Sequence, residues 1–594
     1  MFLYGFVGSA PCRGLLLEKL QACTPSGLDG YGAALVQGGE LLCAKSRESV
    51  ADLAARLPES PAPCGLVHAR FATCGGRTAE NVHPFVTDDF CLAMNGTVEN
   101  AGALRSSLQL LPYPDSDGAV MAALLQAYGA GGPVPALRLC CREARGHYAL
   151  AVLQPGTESL FACAHGMPLY AAVGGGCACI SSDLAALDPA QMKIYALSAG
   201  ECVQLRPGKL QFWNVKGKKI KKSPCPVTLR RSPAAGVADP GQALQALPGD
   251  LELLLHRYVR GDRPRLGKSR LRPGGVRRVL LVGSGGSYHL ARAAACNFES
   301  VCDVPAFAYS AGEFCAGGVV CDRGALVVGI SAGGQTADTV EALQKAAAFG
   351  ARTAVLTGDP DSPLARTGGT LLSVPCSLPG GLPPVTHFVL GYVLLALVAV
   401  DWGLRQKTIT PLFGRMAVKL CATLPDKLRL ILKSGSELDA LAAYLAGYDR
   451  LLFVGQNIDL AAAGAMAAMW SRTLGTAVAA VPATELGPAL LPTVTDRTAL
   501  VAVISSRELT EKTCAALQLA AVRGAGTAAC TVESLAGALS GARQVFLFPD
   551  SLPLLAPVCQ CATLSMLLLR LRTALDRAEL PAEQPPAPPR SFAG

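Results

Sequence analysis

The amino-acid sequence predicts an α/β protein in which a layered α/β sandwich is followed by two tandem parallel-sheet domains flanked by helices. Residues 1–225 are rich in short β-type runs, and two helical stretches lie between them. From about residue 265 the pattern changes to strand, glycine turn and helix. The same pattern recurs after Leu424-Pro425, which indicates a second parallel-sheet domain of related design.

Length and composition agree with several large hydrophobic cores. At roughly 150 residues a domain, the 594 residues correspond to three or four domains. Apolar residues make up 51% of the chain and charged residues only 16%, so we expect little disorder before the C-terminal tail. The net charge of +9 is diluted over a large surface and is only weak support for an anionic ligand. We expect no nucleic-acid partner.

The chain contains 23 cysteines without the repeated pair spacing of a zinc site. In a chain of this size, scattered cysteines are typical of reduced thiols in the cytosol rather than of a disulfide framework. We therefore predict a cytoplasmic protein with no metal and no cofactor.

Two apolar stretches raise the question of a signal peptide or a membrane span. Phe2–Ala10 lacks a basic segment before it, so a buried first strand is the better interpretation. Phe388–Val400 is shorter than the ~20 residues that a membrane span needs, so it predicts a buried helix. We expect no membrane partner.

The elements of the first domain follow from the period of the apolar residues. Two helices are predicted, over Arg13–Ala22 and Asp117–Tyr128. A basic run, Lys216–Lys222, and Pro-rich sequence end this domain; a solvated hairpin end is favoured over a nuclear localisation signal. The predicted strands are Tyr4–Val7, Ala33–Val36, Phe90–Met94, Tyr148–Leu153, Leu169–Val173 and Glu201–Leu205.

Two strands of the next domain end in Gly/Ser turns that open helices. Val279–Val282 leads into one turn, and Leu326–Ile330 leads into another. Such turns present N–H groups and hydroxyls to an anion, at the positive end of a helix dipole. Neither turn is followed by a ribose-binding acid, which favours a phosphomonoester over a dinucleotide.

The predicted boundaries are a first domain at 1–225, a linker at 226–265, parallel-sheet domains at 266–425 and 426–580, and a Pro-rich tail at 581–594.

Several motifs together resemble one family over nearly the whole chain. Met1–Gly8, His68–Gly75 and Met94–Asn100 are similar to the glutaminase domain of the N-terminal-nucleophile amidotransferases, which has an α/β/β/α fold. Ser284–Tyr288 and Ser331–Thr339 resemble the turns of the sugar-isomerase (SIS) domains in glutamine–fructose-6-phosphate aminotransferases. Glu485–Pro488 resembles the family's Lys-His-Gly-Pro motif, and Glu583–Pro585 resembles the Asp-Gln-Pro at the end of its chain. The resemblance implies a glutaminase-like domain followed by two SIS domains.

The resemblance also assigns binding residues. A structural ion pair is the alternative role for Arg70 and Asp117, and helix capping is the alternative role for the hydroxyl residues. The residues implied for a glutamine pocket are Arg70, Thr73, Asn95, Gly96 and Asp117. The residues implied for a sugar phosphate are Gly286, Ser287, Ser331, Gly333 and Thr336.

The positions of the family's reacting groups are replaced. Tyr4 falls at the nucleophilic cysteine, and a phenol with a pKa near 10 is a poor substitute for a thiol. Trp470 lies where a glutamate moves the proton, and Leu486 falls at the ring-opening histidine. Arg590 aligns with the Schiff-base lysine, but guanidinium stays protonated and cannot attack a carbonyl. His387 is a candidate substitute acid or base, although a structural role is the more usual one for such a histidine.

These losses predict a homologue that keeps the fold and sugar-phosphate binding but is catalytically impaired. The resemblance implies a sugar phosphate and glutamine as ligands, and a homodimer or a heterodimer with an active paralogue through the SIS domains. One alternative is an active glutamine- or ammonia-dependent fructose-6-phosphate aminotransferase. The other is a non-enzymatic sugar-phosphate sensor.

Overall fold

The computed structural model describes residues 1–23, 28–110, 114–157, 159–188, 190–225, 240–266, 271–375, 383–487 and 490–579. The chain divides into two compact units, Met1–Ala238 and Asp239–Gly594. The predicted tail at 581–594 lies outside the described residues.

The first unit consists of strands β1 to β14 and helices α1 to α5. All six strands and both helices predicted in this part of the chain overlap elements of the structure. The strands are β1 (Phe2–Val7), β2 (Gly30–Gln37), β3 (Glu40–Ser46), β4 (Cys64–Arg70), β5 (Phe85–Val86), β6 (Cys91–Val98), β7 (Gly146–Leu153), β8 (Leu160–His165), β9 (Tyr170–Gly174), β10 (Cys177–Ser181), β11 (Lys193–Ala196), β12 (Cys202–Arg206), β13 (Lys209–Trp213) and β14 (Lys219–Ile220). The helices are α1 (Arg13–Cys23), α2 (Val50–Arg56), α3 (Ala101–Ser107), α4 (Asp117–Ala127) and α5 (Pro133–Glu143).

Two seven-stranded sheets pack face to face in this unit, with strand orders β11-β9-β10-β1-β4-β2-β3 and β14-β13-β12-β8-β7-β6-β5. One apolar cluster fills the space between the sheets. A second lies between the first sheet and α1 and α2, and a third lies between the second sheet and α3 to α5. The layers are therefore α/β/β/α, as predicted.

The second unit consists of strands β15 to β26 and helices α6 to α16. The strands are β15 (Val259–Arg260), β16 (Arg263–Pro264), β17 (Arg278–Gly283), β18 (Ala306–Ser310), β19 (Ala325–Ile330), β20 (Arg352–Thr357), β21 (Thr370–Ser373), β22 (Arg450–Gly455), β23 (Ala479–Pro482), β24 (Thr498–Ile504), β25 (Gly526–Val532) and β26 (Gln544–Phe548). The helices are α6 (Pro240–Tyr258), α7 (Gly286–Cys302), α8 (Ala311–Ala316), α9 (Ala337–Ala348), α10 (Pro363–Arg366), α11 (Pro384–Gln406), α12 (Pro411–Lys433), α13 (Gly435–Leu445), α14 (Asn457–Leu474), α15 (Arg507–Val522) and α16 (Ala556–Glu579).

Two five-stranded sheets form the frame of this unit, in the orders β18-β17-β19-β20-β21 and β23-β22-β24-β25-β26. Every strand pair in both sheets is parallel. Counted from the first strand of each domain, the two orders are the same. The predicted tandem of related parallel-sheet domains is confirmed.

Helix α6 corrects the predicted linker at 226–265. Leu244, Leu247, Leu251 and Leu254 follow each other at helical spacing and are buried. This apolar stripe packs against α11, α12 and α16, in the core of the second unit. The linker prediction is therefore wrong from Pro240 onward. The predicted boundary between residues 425 and 426 also falls inside α12 rather than between elements.

Two helical segments, Pro384–Gln406 and Pro553–Asp576, are long and apolar enough to cross a membrane. In their most apolar windows, 94% and 83% of the residues are buried inside the protein. Because these helices are buried on all sides, they carry no polar stripe of the kind that faces solvent on a surface helix. The buried helix predicted at Phe388–Val400 is confirmed, and it extends as α11 over Pro384–Gln406.

Candidate functional site

The predicted glutamine-pocket residues meet at the end of β6. In the register of β1 and β4, Leu3 lies opposite His68, and Tyr4 lies opposite Val67. Because side chains alternate across a strand, His68 and Arg70 point between the two sheets. Asn95 on β6 reaches His68 from the second sheet, with 2.9 Å between Asn95 Oδ1 and His68 Nε2. This group of residues therefore comes from both sheets.

His68 orients the amide of Asn95. Burial lowers the pKa of His68 to about 3, so its ring is neutral at ordinary pH. A neutral ring donates one hydrogen bond, and the Asn95 oxygen is the acceptor beside Nε2. The Asn95 nitrogen is then left to donate elsewhere, as an oxyanion-hole donor must. The motif at His68–Gly75 did not by itself predict this role for His68.

Arg70 holds the loop that follows β4. Its guanidinium donates to the carbonyl oxygens of Gly76, at 3.1 Å, and Cys74, at 2.9 Å. The side chain is buried, and burial lowers its pKa. Arg70 thus fixes the loop that carries Thr73.

Asp117 lies in the first turn of α4 and fixes the end of β6. Its carboxylate accepts hydrogen bonds from the backbone N–H of Val98, at 2.9 Å, and of Gly118, at 3.0 Å. Burial raises its pKa. Within the described part of the chain, Asp117 forms no ion pair with Arg70. The structural ion pair considered as an alternative does not form.

Gly96 and Thr73 complete the group. Gly96 has a φ of +105°, and a Cβ there would lie 2.0 Å from the carbonyl oxygen of His147. Only glycine fits this position without strain. Thr97, the next residue, brings its hydroxyl within 3.3 Å of the Thr73 hydroxyl. All five predicted residues therefore lie around the end of β6.

Tyr4 is not part of this group. It lies on the face of β1 opposite to Leu3, and it is buried with Phe2 and Phe6 against the outer helices. Its ring stacks on that of Phe2, with 6.3 Å between centroids. The motif resemblance puts Tyr4 at the position of the nucleophile, but the strand turns the phenol toward the hydrophobic core. Tyr4 is a packing residue.

The predicted sugar-phosphate residues lie at the carboxyl edge of the first parallel sheet. Neighbouring strands β17 and β19 end at Gly283 and Ile330, so their turns lie side by side. Ser331 Oγ and Thr336 Oγ1 are hydrogen-bonded at 3.0 Å. Thr336 is the N-cap residue of α9, yet its side chain makes no capping hydrogen bond. The capping role considered as an alternative therefore does not apply to Thr336.

The turn that opens α7 is glycine-rich and exposed. Its N-cap, Gly285, has a φ of +55°, and Gly286 is the first helical residue. Among the described residues, no atom lies within 4 Å of a Cβ placed on Gly286. The nearest atom to a Cβ on Gly333 is 3.8 Å away. Both turns therefore leave room for a ligand above their backbone N–H groups.

His387 joins this site through Ser287. Ser287 Oγ and His387 Nε2 lie 3.1 Å apart. His387 is in the first turn of α11, and burial lowers its pKa to about 4. The His387 ring with the Ser287 hydroxyl, and the paired hydroxyls of Ser331 and Thr336 at the neighbouring strand end, are together called the hydroxyl cradle.

The second parallel sheet places different chemistry at the matching edge. Asp459, in the first turn of α14, accepts hydrogen bonds from the Ser505 N–H, at 3.0 Å, and the Ser505 hydroxyl, at 2.5 Å. Gln560 donates to the same carboxylate at 2.5 Å. All three side chains are buried, and burial raises the pKa of Asp459 to about 6. No short sequence motif predicts this network.

Trp470 and Leu486 lie in the interior of the second domain. The indole N–H of Trp470 donates to the Leu564 carbonyl at 3.0 Å, and its ring meets Phe453 edge-on. Leu486 is 2% exposed. Neither side chain can accept or release a proton. Arg590 lies outside the described residues.

Comparison with known proteins agrees with this architecture. A glutamine amidotransferase domain model matches residues 68–189, and a SIS domain model matches residues 275–400. The chain is 26% identical to the glutamine–fructose-6-phosphate aminotransferase of Symbiobacterium thermophilum, over 96% of this chain and 97% of that protein. Its identity to the Pseudomonas syringae pv. tomato enzyme is 27%, over 95% of each chain.

A solved structure shares the fold of the second unit. The C-terminal domain of glucosamine-fructose-6-phosphate aminotransferase from Francisella tularensis superposes with a TM-score of 0.54. The identity is 20%, and the match covers 57% of this chain and 97% of that domain.

The fold and the two polar sites define a protein with a glutaminase-like domain followed by sugar-isomerase-type domains. The relatives that match along their full length narrow the class of protein that this chain resembles. Over nearly its whole length the chain is similar to glutamine–fructose-6-phosphate aminotransferases, from which it diverges strongly in sequence.

Proposed function

We propose that this protein binds a hexose phosphate in the hydroxyl cradle of its first SIS domain and has lost most or all glutamine-dependent amino transfer. The observation that carries the proposal is the contrast between the open cradle and the buried apolar side chains at the positions of the reacting groups. The relatives act, by name, on glutamine and fructose 6-phosphate, and these are the ligands proposed here.

The cradle has the features of a phosphate site. Three hydroxyls and the N-termini of α7 and α9 meet at the ends of adjacent parallel strands. Helix N-termini favour anions because their free N–H groups and the helix dipole both point at the ligand. His387 adds a side chain that a bound dianion would favour in its charged form.

The chemical steps lack their side chains. Trp470 and Leu486 fill their positions with packed apolar groups, and Tyr4 faces the hydrophobic core away from Arg70 and Asn95. Proton transfer and covalent catalysis each contribute several orders of magnitude in rate, so their joint loss leaves little activity. The arrangement of Asn95 and Gly96 supports glutamine binding in a protein that no longer hydrolyses glutamine.

We further propose a cytoplasmic protein that acts as a sugar-phosphate-binding subunit, as a homodimer or paired with an active paralogue through its SIS domains. The full-length likeness to the named aminotransferases supports this placement. A binding subunit needs the cradle and the fold, and both are present.

The test combines binding and turnover on the purified full chain. Fructose 6-phosphate should raise the midpoint of thermal unfolding, whereas glutamate release from glutamine should stay near the uncatalysed rate. Glucosamine 6-phosphate should not form from fructose 6-phosphate with either glutamine or ammonium. Product formation at ordinary enzyme rates would overturn the loss of activity, and an unchanged midpoint with any hexose phosphate would overturn the binding.

A further inference from the structure

Three cysteine side chains meet under α5 in the first unit. Cys141, in the last turn of α5, has its sulfur 3.3 Å from the sulfur of Cys163 on β8. Cys202 on β12 lies directly opposite Cys163 in the antiparallel pair β8 and β12. The group lies in the apolar layer between the second sheet and its helices.

In the pair of Cys141 and Cys163, one cysteine is partly exposed to solvent and the other is fully buried. Cys141 is half-buried, so it is the more exposed member of the pair. Cys163 is fully buried, so it meets an oxidant only through Cys141. The hydrogen bond between the two thiols lowers the pKa of Cys141, which favours its reactive thiolate.

We propose that Cys141 and Cys163 form a reversible intramolecular disulfide when the protein meets a peroxide. The Cys141 thiolate attacks one peroxide oxygen, the O–O bond breaks, and the departing hydroxide leaves as water after taking up a proton. The product is a sulfenic acid on Cys141. The Cys163 thiol then attacks that sulfur, the S–O bond breaks, and a second water leaves. Two thiols are oxidised, one peroxide is reduced, and two waters form.

The geometry favours this pair over the other cysteines of the group. Cys140 is adjacent to Cys141 but fully buried on the core face of α5, where burial raises its pKa. Cys202 is also fully buried and has no route to solvent of its own. Closing the disulfide requires the sulfurs to move from 3.3 Å to about 2.05 Å, a small shift of the end of α5.

That end of α5 is linked to the segment that follows the glutamine-pocket strand. Asn100 Nδ2 donates to the Glu143 carbonyl at 2.9 Å, and the Arg145 N–H donates to Asn100 Oδ1 at 2.7 Å. The Glu99 N–H donates to the Arg145 carbonyl at 2.8 Å. A disulfide at Cys141 therefore adds a covalent tie beside these bonds, and it should slow amide hydrogen exchange at Glu99.

The experiment is peptide mapping of the full chain after hydrogen peroxide treatment and alkylation of the remaining thiols. We expect a cross-linked peptide pair containing Cys141 and Cys163, with the loss of two hydrogen masses, which dithiothreitol reverses. Oxidised wild-type protein should also show a higher midpoint of thermal unfolding and slower exchange at Glu99 than reduced protein.

The half-buried position of Cys141 makes Cys141→Ser the variant of choice, and Cys140→Ser is its matched neighbour. Cys141→Ser should abolish the cross-link and the rise in unfolding midpoint, whereas Cys140→Ser should keep both. Should Cys140→Ser fail to fold, Cys74→Ser, in an exposed loop of the same unit, serves as the control. A Cys163–Cys202 cross-link, or oxidation of Cys141 to sulfinic acid without any cross-link, would overturn the proposal.

Discussion

The two parallel sheets of the second unit have the same strand order, but their carboxyl edges differ in how the serine and threonine groups are hydrogen-bonded. In the first sheet, Ser287, Ser331 and Thr336 leave their hydroxyls around open turns. In the second sheet, Ser505 follows β24 as Ser331 follows β19, but its N–H and hydroxyl are both bound to Asp459.

This difference is the reason for proposing an anion site at the first sheet and none at the second. The Asp459 carboxylate takes the hydrogen bonds that a phosphate oxygen would take at the end of β24. A buried internal anion competes with any external one at no cost in binding entropy. We therefore expect a single sugar-phosphate site in the described part of the chain, in the first sheet.

The largest effect should be the pH dependence that Asp459 gives to stability. Its pKa rises from 3.8 in the unfolded chain to about 6 in the folded protein, so the protonated form is favoured by folding. This contribution is complete below about pH 4 and is lost as the pH rises through 6. The contribution to the free energy of unfolding is up to about 3 kcal/mol, because a pKa difference of one corresponds to about 1.36 kcal/mol.

Asp459→Asn removes the titration and is the reference for this measurement. Urea unfolding of the second unit between pH 4 and 7 should show the wild type losing stability relative to the variant over that range. Parallel curves for the two proteins would mean that folding does not raise the pKa of Asp459.

The next effect is on ligand binding in the first sheet. Ser331→Ala combined with Thr336→Val removes two hydroxyls that would donate to a phosphate, and hydrogen bonds to charged groups are worth about 1.5 kcal/mol or more each. We expect the Kd for fructose 6-phosphate to rise by a factor of about 100 or more. Titration calorimetry on the folded variant measures it.

Ser505→Ala is the matched substitution in the second sheet. It occupies the equivalent strand end, so it should leave the Kd for fructose 6-phosphate unchanged while lowering stability. Equal loss of affinity in both variants would contradict a single site and restore the symmetry of the two sheets.

A smaller effect should come from His387→Gln. The amide keeps a donor near Ser287 but cannot become charged beside a bound anion. We expect the Kd for fructose 6-phosphate to rise about threefold at pH 6, a change of less than 1 kcal/mol. The difference between variant and wild type should shrink at pH 8, and a pH-independent difference would assign His387 a packing role alone.

The sequence predicted the layers, both sheets and the cradle because these depend on local patterns. Strand–turn–helix periods and hydroxyl-bearing turns are readable within a few residues, as at Ser331 and Thr336. Helix α6 was missed because Pro248, inside it, resembles the breaks of a linker. Pro425 likewise lies within α12 instead of ending it.

The remaining features depend on contacts between distant residues. The orientation of Tyr4 follows from the register of β1 with β4, which a motif alignment does not contain. Asp459 and its partner Gln560 are 101 positions apart, and His68 meets Asn95 across two sheets. No short window of sequence holds both members of such a pair.

The continuous core that joins α6, α11, α12 and α16 to both parallel sheets has a consequence for the way this half of the molecule melts. Because the two repeats share one hydrophobic core, neither is expected to unfold alone. The pair should therefore show one cooperative unfolding transition. A sugar phosphate bound at one edge would then protect both repeats against heat and proteases, including the repeat that it never touches.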